Sequence, residues 1–127
     1  MKRWRLLCAG IAILLACVVG RCAWESRREY KAGTESLARG ETGEGIIHLD
    51  RAIHGYFPLN PYVDRSVRAL WTVGQESEDR NPALALRAYE AIRGALNAVR
   101  GIYQPYSDWL PKTDEKIASL RTLEEVK

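Results

Sequence analysis

Residues 60–74 read NPYVDRSVRALWTVG, and this stretch decides the fold class. Asparagine is a favoured helix N-cap residue, and proline suits the first helical position because its missing N–H is not needed there. Apolar or small residues then recur at three- and four-residue steps, namely Val63, Val67, Leu70, Trp71 and Gly74. One apolar stripe of this kind predicts an amphipathic helix with one buried face.

The same start signal recurs downstream, where Asn81-Pro82 precedes a second stripe that runs to about Arg100. This stripe consists of Ala85, Ala88, Tyr89, Ile92, Leu96 and Val99. A last helix is predicted from about residues 108–111 to Glu124, with residues 122–127 frayed. Its apolar face is predicted to contain Ile117, Leu120 and Leu123.

Two further helices are predicted upstream of Asn60. The first covers about residues 25–39 and ends at Gly40, a suitable left-handed residue. The second covers about residues 42–56, where Ile46, Leu49, Ala52, Ile53 and Tyr56 share a face. Because no stretch alternates as a strand does, we predict an all-α protein. Residues 25–127 are expected to form an antiparallel helical-hairpin domain of about five helices, preceded by a separate N-terminal hydrophobic helix.

Residues 1–24 form a separate N-terminal segment. Lys2, Arg3 and Arg5 precede Leu6–Gly20, a run of fifteen residues without a charge. A membrane span needs about 20 apolar residues, so this run is long enough only if Trp4 and Trp24 lie at the two interfaces. We interpret the segment as a single-pass signal anchor, with the following domain on the extracytoplasmic side. In a Gram-negative bacterium that side is the periplasm.

Two other interpretations of the N-terminus remain open. Leu14-Leu15-Ala16-Cys17 is similar to a bacterial lipobox, although Leu15 occupies a position where a small or β-branched residue is usual. Lipidation at Cys17 would make the chain a lipoprotein. Cleavage after Gly20 would instead remove the apolar segment as a signal peptide.

The charge distribution argues against nucleic-acid binding. The net charge of +3 arises in residues 1–24, because residues 25–127 carry 15 Lys+Arg and 16 Asp+Glu. The usual electrostatic basis for binding phosphate backbones is therefore lacking. All three cysteines lie at or before residue 22, so the domain needs no disulfide.

No catalytic, cofactor-binding or metal-binding residue is predicted. His48 and His54 are six residues apart and so point to different helix faces, which does not suit a metal pair. Gly40, Gly43 and Gly45 lie between two helices, whereas a phosphate-binding glycine loop follows a strand. We therefore predict that the chain is not an enzyme, and we expect no cofactor.

Small residues in the helix pairs carry a resemblance to a known family. Gly33 in one helix is followed by Gly45, Leu49 and Ala52 in the next, with Pro58 beyond it. Gly74 and the run from Ala85 to Glu90 repeat the layout. Over residues 26–100 the sequence resembles the tetratricopeptide repeat family, although the two helix pairs are not a strict tandem. Any antiparallel bundle with small residues at its contacts gives a similar pattern.

The resemblance implies a protein–protein interaction module whose groove receives a peptide or a partner helix. The residues expected to contact a partner are Tyr62, Trp71, Arg93, Arg100, Tyr103, Tyr106 and Trp109. The aromatic residues could instead pack over the core, and the arginines could form a solvated face paired with Glu90. The partner would be an unidentified protein or a second copy of the chain, in addition to the membrane.

An alternative function is a small structural subunit of a larger membrane enzyme or transport complex. Ala12, Ala16 and Gly20 are four residues apart, so they form a face of the apolar segment on which another helix could pack closely.

Overall fold

The structure is a computed structural model, and it describes residues 1–57, 59–100 and 106–126. Within these ranges the chain is all-helical and contains no strand, which confirms the predicted fold class. The five helices are α1 (Lys2–Ala38), α2 (Thr42–His54), α3 (Pro61–Ser77), α4 (Pro82–Ala98) and α5 (Trp109–Val126).

Helix α1 differs from the prediction because it is one continuous helix of 37 residues. We expected an apolar segment and then a separate helix starting near Glu25. No proline separates the two parts, and the Arg21 guanidinium pairs with the Glu25 carboxylate at 3.1 Å, one helical turn away. Such i, i+4 pairs support a helix. The same helix therefore provides both the apolar segment and the first helix of the domain.

The turn from α1 to α2 follows the predicted glycine. Gly40 has a φ of +78°, which an L side chain adopts only with strain. The Glu41 N–H donates to the Ser36 carbonyl at 2.9 Å and the Gly40 N–H donates to the Leu37 carbonyl at 3.0 Å. These two hydrogen bonds are those of a Schellman motif, which ends α1 and reverses the chain.

Glycines allow α1 and α2 to pack closely. A Cβ added to Gly33 would lie 3.2 Å from the Gly45 carbonyl oxygen, and one added to Gly45 would lie 3.2 Å from the Gly33 carbonyl oxygen. Nearer the N-terminus of α1, a Cβ on Gly55 would lie 3.1 Å from the Cys22 carbonyl oxygen. The end of α2 therefore lies beside the part of α1 that follows the apolar segment.

Helices α3 and α4 begin as predicted. The Asn60 side chain accepts a hydrogen bond from the Tyr62 N–H at 3.1 Å, and Asn81 accepts one from the Leu84 N–H at 3.2 Å. Helix α4 ends at Ala98, two residues before the predicted end, so Arg100 lies beyond the helix. The Arg93 and Arg100 side chains consequently do not share a helix face.

The core lies between α2, α3 and α4 and is closed by α1 on one side and α5 on the other. Leu49, Ile53, Leu70, Tyr89 and Ile92 are fully buried within it. Ile117 and Leu120 of α5 are buried as predicted, but Leu123 is 59% exposed because the helix extends past the surface it covers. The helix continues to Val126, so the described part of residues 122–127 is helical and not frayed.

Helices α1 and α2, α2 and α3, α3 and α4, and α4 and α5 contact each other in sequence. In addition, α1 contacts α3 and α2 contacts α4. Because consecutive helices reverse direction, the turns alternate between two ends of the domain. The turn between α2 and α3 lies at the end nearest the apolar segment, which we call the proximal end. The turns after α1 and α3 lie at the opposite, distal end.

Candidate functional site

Two tryptophans from separate helices form the centre of the candidate site. The Trp71 ring of α3 lies 5.5 Å from the Trp109 ring of α5 and 5.0 Å from the Tyr89 ring, each in an edge-to-face arrangement. Edge-to-face aromatic pairs stabilise a protein beyond their buried area. Both tryptophans are half-buried, so they pack on the core and also present part of each ring to solvent.

Two cations flank Trp109. The Arg68 guanidinium carbon lies 5.8 Å from the centre of the Trp109 ring, and the Lys112 Nζ lies 5.2 Å from it. A cation over an indole face is attracted by the negative potential of the ring. We call Arg68, Trp71, Trp109 and Lys112 the tryptophan surface. Lys112 adds positive charge to this partly exposed aromatic area, whereas the Arg68 guanidinium also pairs with the Asp64 carboxylate at 2.9 Å.

Lys112 was not among the predicted site residues. The signal was present, because residues three apart are neighbours on a helix surface and Lys112 follows Trp109 by three. The contact of Arg68 with Trp109 joins two helices and has no such local signal.

Tyr62 and Tyr106 lie in other ring contacts, outside the tryptophan pair. The Tyr62 ring lies 5.8 Å from the Tyr30 ring, with the Arg65 guanidinium 5.4 Å from its centre. The Tyr106 ring lies 6.2 Å from the Tyr56 ring. Tyr103 lies outside the described residues. Among the described members of the predicted aromatic set, Trp71 and Trp109 contact each other.

The predicted arginines lie apart from each other. Arg93 pairs with Asp114 of α5 at 3.7 Å, which joins α4 to α5. Its neighbour Glu90 pairs with Arg121 at 2.6 Å and not with Arg93. Arg100 is exposed after the end of α4.

A groove between the helix pairs was predicted as the partner site. A cleft of about 290 Å³ lies between α1 and α3, where Leu37, Val73 and Glu76 are among its lining residues. Neither Trp71 nor Trp109 lines this cleft. The aromatic and groove features of the predicted partner site are therefore separate in space.

Glu78 forms a polar cluster at the distal end. Its carboxylate accepts a hydrogen bond from the Tyr89 hydroxyl and pairs with the Lys116 Nζ at 2.8 Å. Burial alone would raise the pKa of Glu78, but the hydrogen bonds and the Lys116 charge outweigh it and lower this pKa. Burial and the Glu78 contact raise the pKa of the Tyr89 hydroxyl. The cluster joins α5 to the turn between α3 and α4.

The histidines lie in different surroundings. His48 Nδ1 lies 2.6 Å from the Glu29 carboxylate of α1 and is half-buried, whereas His54 is exposed. Among the described residues, no group of three or more histidine, cysteine or acidic side chains is placed to hold a metal ion.

A cleft of about 350 Å³ lies at the proximal end, between α1 and the end of α2. Its lining includes Ser26, Arg28, Arg51, His54 and Gly55. The Ser26 hydroxyl donates to the Ala52 carbonyl at 2.7 Å and holds the two helices together there. With the residues that the structure describes, neither arginine forms an ion pair.

The first half of α1 contacts nothing else in the described chain. Residues 1–21 are all exposed, and Cys17 lies among them. Within the described residues, α1 is the one helix long and apolar enough to cross a membrane. Length and composition of this kind suit either a membrane span or a signal sequence.

Comparisons of this chain with known protein families, with characterised proteins and with solved structures give no match.

Proposed function

We propose that this chain is a membrane-tethered, non-catalytic helical module for protein–protein interaction or complex assembly. The observation that carries the proposal is the continuity of α1, whose exposed apolar half leads directly into a half that packs in the domain. The domain is thereby held at a fixed height above the membrane. A flexible linker would leave that height undefined.

The dimensions of α1 support a retained anchor. Trp4 and Trp24 are twenty residues apart, which at 1.5 Å per residue is about 30 Å, the thickness of the hydrocarbon core. Tryptophan is enriched at both membrane interfaces. In the proposed topology the N-terminus is cytoplasmic and the domain lies on the extracytoplasmic side, in the periplasm if the source is Gram-negative.

Contacts between the helices support a tetratricopeptide-like arrangement of α1–α4. In a stack of hairpins each helix contacts the next one and the next but one, as α1 contacts α3 and α2 contacts α4. Gly33 and Gly74 each face a helix that a side chain would push away. Helix α5 then covers the exposed face of the second hairpin.

The proposed partner contact is the tryptophan surface. Half-buried tryptophans and arginines are the residue types that contribute most to protein interfaces. Because Arg68 and Lys112 flank Trp109, the surface suits an acidic segment of a partner.

Membrane attachment is tested by washing membranes that contain the full chain with alkaline carbonate and measuring the intact mass of the retained protein. We expect the unprocessed mass in the membrane fraction. A product that starts at Cys17 and carries the mass of a lipid on that cysteine, with attachment lost in Cys17→Ala, would replace the anchor by a lipoprotein. A product that starts at Arg21 and is soluble would refute the tether.

Partner binding is tested by gel filtration after extraction in mild detergent. We expect a stoichiometric complex that the double variant Arg68→Glu, Lys112→Glu loses. The matched control is Arg39→Glu, Arg80→Glu, which places the same charge change on exposed residues of the distal turns. A chain that elutes alone, or a complex that both double variants weaken equally, would contradict the tryptophan surface as the contact.

A second candidate function is a structural subunit whose span packs in a larger membrane complex. Ala12, Ala16 and Gly20 lie on one exposed face, and a Cβ added to Gly20 would have no atom within 4 Å. Small residues of this kind allow close approach of another helix. In this case Ala16→Leu with Gly20→Leu would disrupt the complex, whereas the tryptophan-surface variant would leave it intact.

A further inference from the structure

We infer that the proximal end of the domain lies on the bilayer surface and binds anionic lipid headgroups, with Leu59 inserted among them. This inference rests on the proposed membrane anchor and goes beyond it. An anchor alone places no part of the domain in contact with lipid.

The proposed anchor places the proximal end of the domain at the depth of the membrane interface. If Trp24 lies at the interface, the residues beside it on α1 lie there too. The Ser26 hydroxyl binds the Ala52 carbonyl at 2.7 Å, and a Cβ on Gly55 would lie 3.1 Å from the Cys22 carbonyl oxygen. The end of α2 and the turn that follows it are therefore held at the depth of Trp24.

An exposed apolar side chain, that of Leu59, lies just before α3 at the proximal end. Leu59 is 87% exposed, although Asn60 beside it is buried and fixes the turn. The Asn60 Nδ2 donates to the Gly55 carbonyl at 2.9 Å, and its Oδ1 caps α3. A leucine on a turn that is anchored in this way projects from a fixed base. An exposed apolar side chain at interface depth gains free energy by leaving water.

Exposed arginines also lie at the proximal end. Arg28 and Arg51 line the proximal cleft, are exposed and form no ion pair with the described residues. The cleft is also lined by the acids Glu25 and Glu29, which pair with Arg21 and His48. Arg27, one residue before Arg28, is also exposed. Basic side chains close to a membrane surface are attracted by anionic lipids. Guanidinium groups also bind phosphate oxygens in a bidentate manner.

The distal end has the opposite character. Its exposed acids include Glu35, Glu41, Glu44, Glu76 and Asp79, and its exposed bases include Arg39, Arg80 and Arg87, which lies beside Gly43. An anionic surface therefore attracts the proximal end and repels the distal end. The electrostatic orientation agrees with the one that α1 imposes.

The test measures the depth of two labelled positions in the full chain. Cys8, Cys17 and Cys22 are replaced by alanine, and an environment-sensitive fluorophore is attached at Leu59→Cys or, as the matched control, at Leu123→Cys. Leu123 is also an exposed leucine, at 59%, but it lies near the end of α5 towards the distal side. The chain is reconstituted in vesicles of phosphatidylcholine with or without phosphatidylglycerol.

We expect the label at position 59 to be shifted to shorter emission wavelength and to be quenched by nitroxide-bearing lipids, more strongly in anionic vesicles. The label at position 123 should respond to neither. Arg28→Glu with Arg51→Glu should reduce the quenching at position 59 in anionic vesicles. Arg39→Glu with Arg80→Glu at the distal end should not.

The outcomes separate this inference from the proposed anchor. If the chain floats with the vesicles but both labels respond equally or neither responds, the proximal contact is wrong and the anchor stands. If Arg28 and Arg51 can be reversed without effect on position 59, the headgroup contact is wrong. If the unlabelled chain does not float with vesicles of either composition, the anchor itself is refuted.

Discussion

Two helical glycines, Gly74 and Gly94, lie in opposite surroundings. A Cβ added to Gly74 would lie 2.6 Å from ring atoms of Tyr89, whereas one added to Gly94 would meet no atom within 4 Å. Tyr89 is fully buried and has no space to move away. Gly74→Ala is therefore expected to lower the free energy of unfolding by ~1–3 kcal/mol through overpacking.

Gly94→Ala is the matched control, with the opposite sign. Alanine favours a helix over glycine by up to ~1 kcal/mol, and at an exposed helical position nothing offsets this gain. Urea unfolding of the detergent-solubilised chain, followed by tryptophan fluorescence, measures both changes. Equal effects of the two substitutions would contradict the close contact between α3 and α4 at Gly74.

The pKa of Glu78 gives a pH dependence with a definite sign. The contacts with Lys116 and Tyr89 lower this pKa from its ordinary 4.5, despite partial burial. A lowered carboxyl pKa stabilises the folded state above the unfolded pKa, and that stabilisation is lost as the pH falls through the folded value. The stability advantage of the wild type over Glu78→Gln is therefore expected to be largest near pH 6 and to shrink below about pH 4.5.

Thermal unfolding at several pH values measures this difference. Burial raises the pKa of Asp50, which acts in the opposite direction, but Asp50 is present in both proteins and cancels in the comparison. Glu76→Gln is the control, because Glu76 is an exposed acid of the same region. A pH-independent difference for Glu78→Gln would show that its charge does not matter to the fold.

At the residue scale the sequence predicted apolar burial well and polar burial poorly. The stripes of α3 and α4 identified Val67, Leu70 and Ile92 as core residues, and all three are fully buried. Ser26 and Thr113 are also buried, but they were not predicted. Their hydroxyls donate to the carbonyls of Ala52 and of Trp109, and the first of these acceptors lies on another helix. A hydroxyl that finds such an acceptor can enter a core, and no periodicity reveals the acceptor.

Two helices share the same start sequence, Asn-Pro, but the two caps differ in burial. Asn60 is 3% exposed and bonds both to the Tyr62 N–H and to the Gly55 carbonyl, whereas Asn81 is exposed and caps only Leu84. Asn60→Ala should lower the free energy of unfolding by ~2 kcal/mol, because it removes a cap and leaves the half-buried Gly55 carbonyl without its partner. Asn81→Ala should lower it by only ~0.5–1 kcal/mol.

The stabilities of the two alanine variants are compared by thermal unfolding, followed by circular dichroism in the same detergent. Both positions precede a proline and start a helix of 17 residues, so helix propensity is matched. Should the Asn81 variant prove the less stable one, the hydrogen bond from Asn60 to Gly55 would not hold the turn between α2 and α3.

At the element scale the sequence predicted the helix starts that have a cap signal. It did not predict that the apolar segment and the first helix of the domain form one continuous helix, α1. The boundary near residue 24 was placed where composition changes from apolar to charged. A change of composition is not a helix breaker, since Arg21 and Glu25 pair along the same helix. The candidate site was predicted less well. Trp71 and Trp109 are 38 residues apart in sequence, and only the packing of α5 brings them together.

At the scale of the whole molecule, the exposed apolar side chains of α1 and those of α5 have different proposed surroundings. Leu14 and Leu15 in α1 are 65% and 59% exposed, and Leu123 and Val126 in α5 are 59% and 80% exposed. Within the chain itself the two pairs are alike, because each projects from a helix into the surroundings. The proposed anchor distinguishes them, because it places only the first pair in hydrocarbon.

Lysine substitution at each pair tests this difference. A lysine at the centre of a membrane helix costs ~3 kcal/mol, so Leu14→Lys with Leu15→Lys should remove most of the chain from vesicles in a flotation assay. Leu123→Lys with Val126→Lys should leave flotation unchanged, because those side chains remain in water. The intact mass of each variant is measured before flotation to check that the protein still contains Met1. If the Leu14→Lys, Leu15→Lys variant floats as well as the Leu123→Lys, Val126→Lys variant, the apolar half of α1 does not span the bilayer. The continuity of α1 would then no longer set the height of the domain.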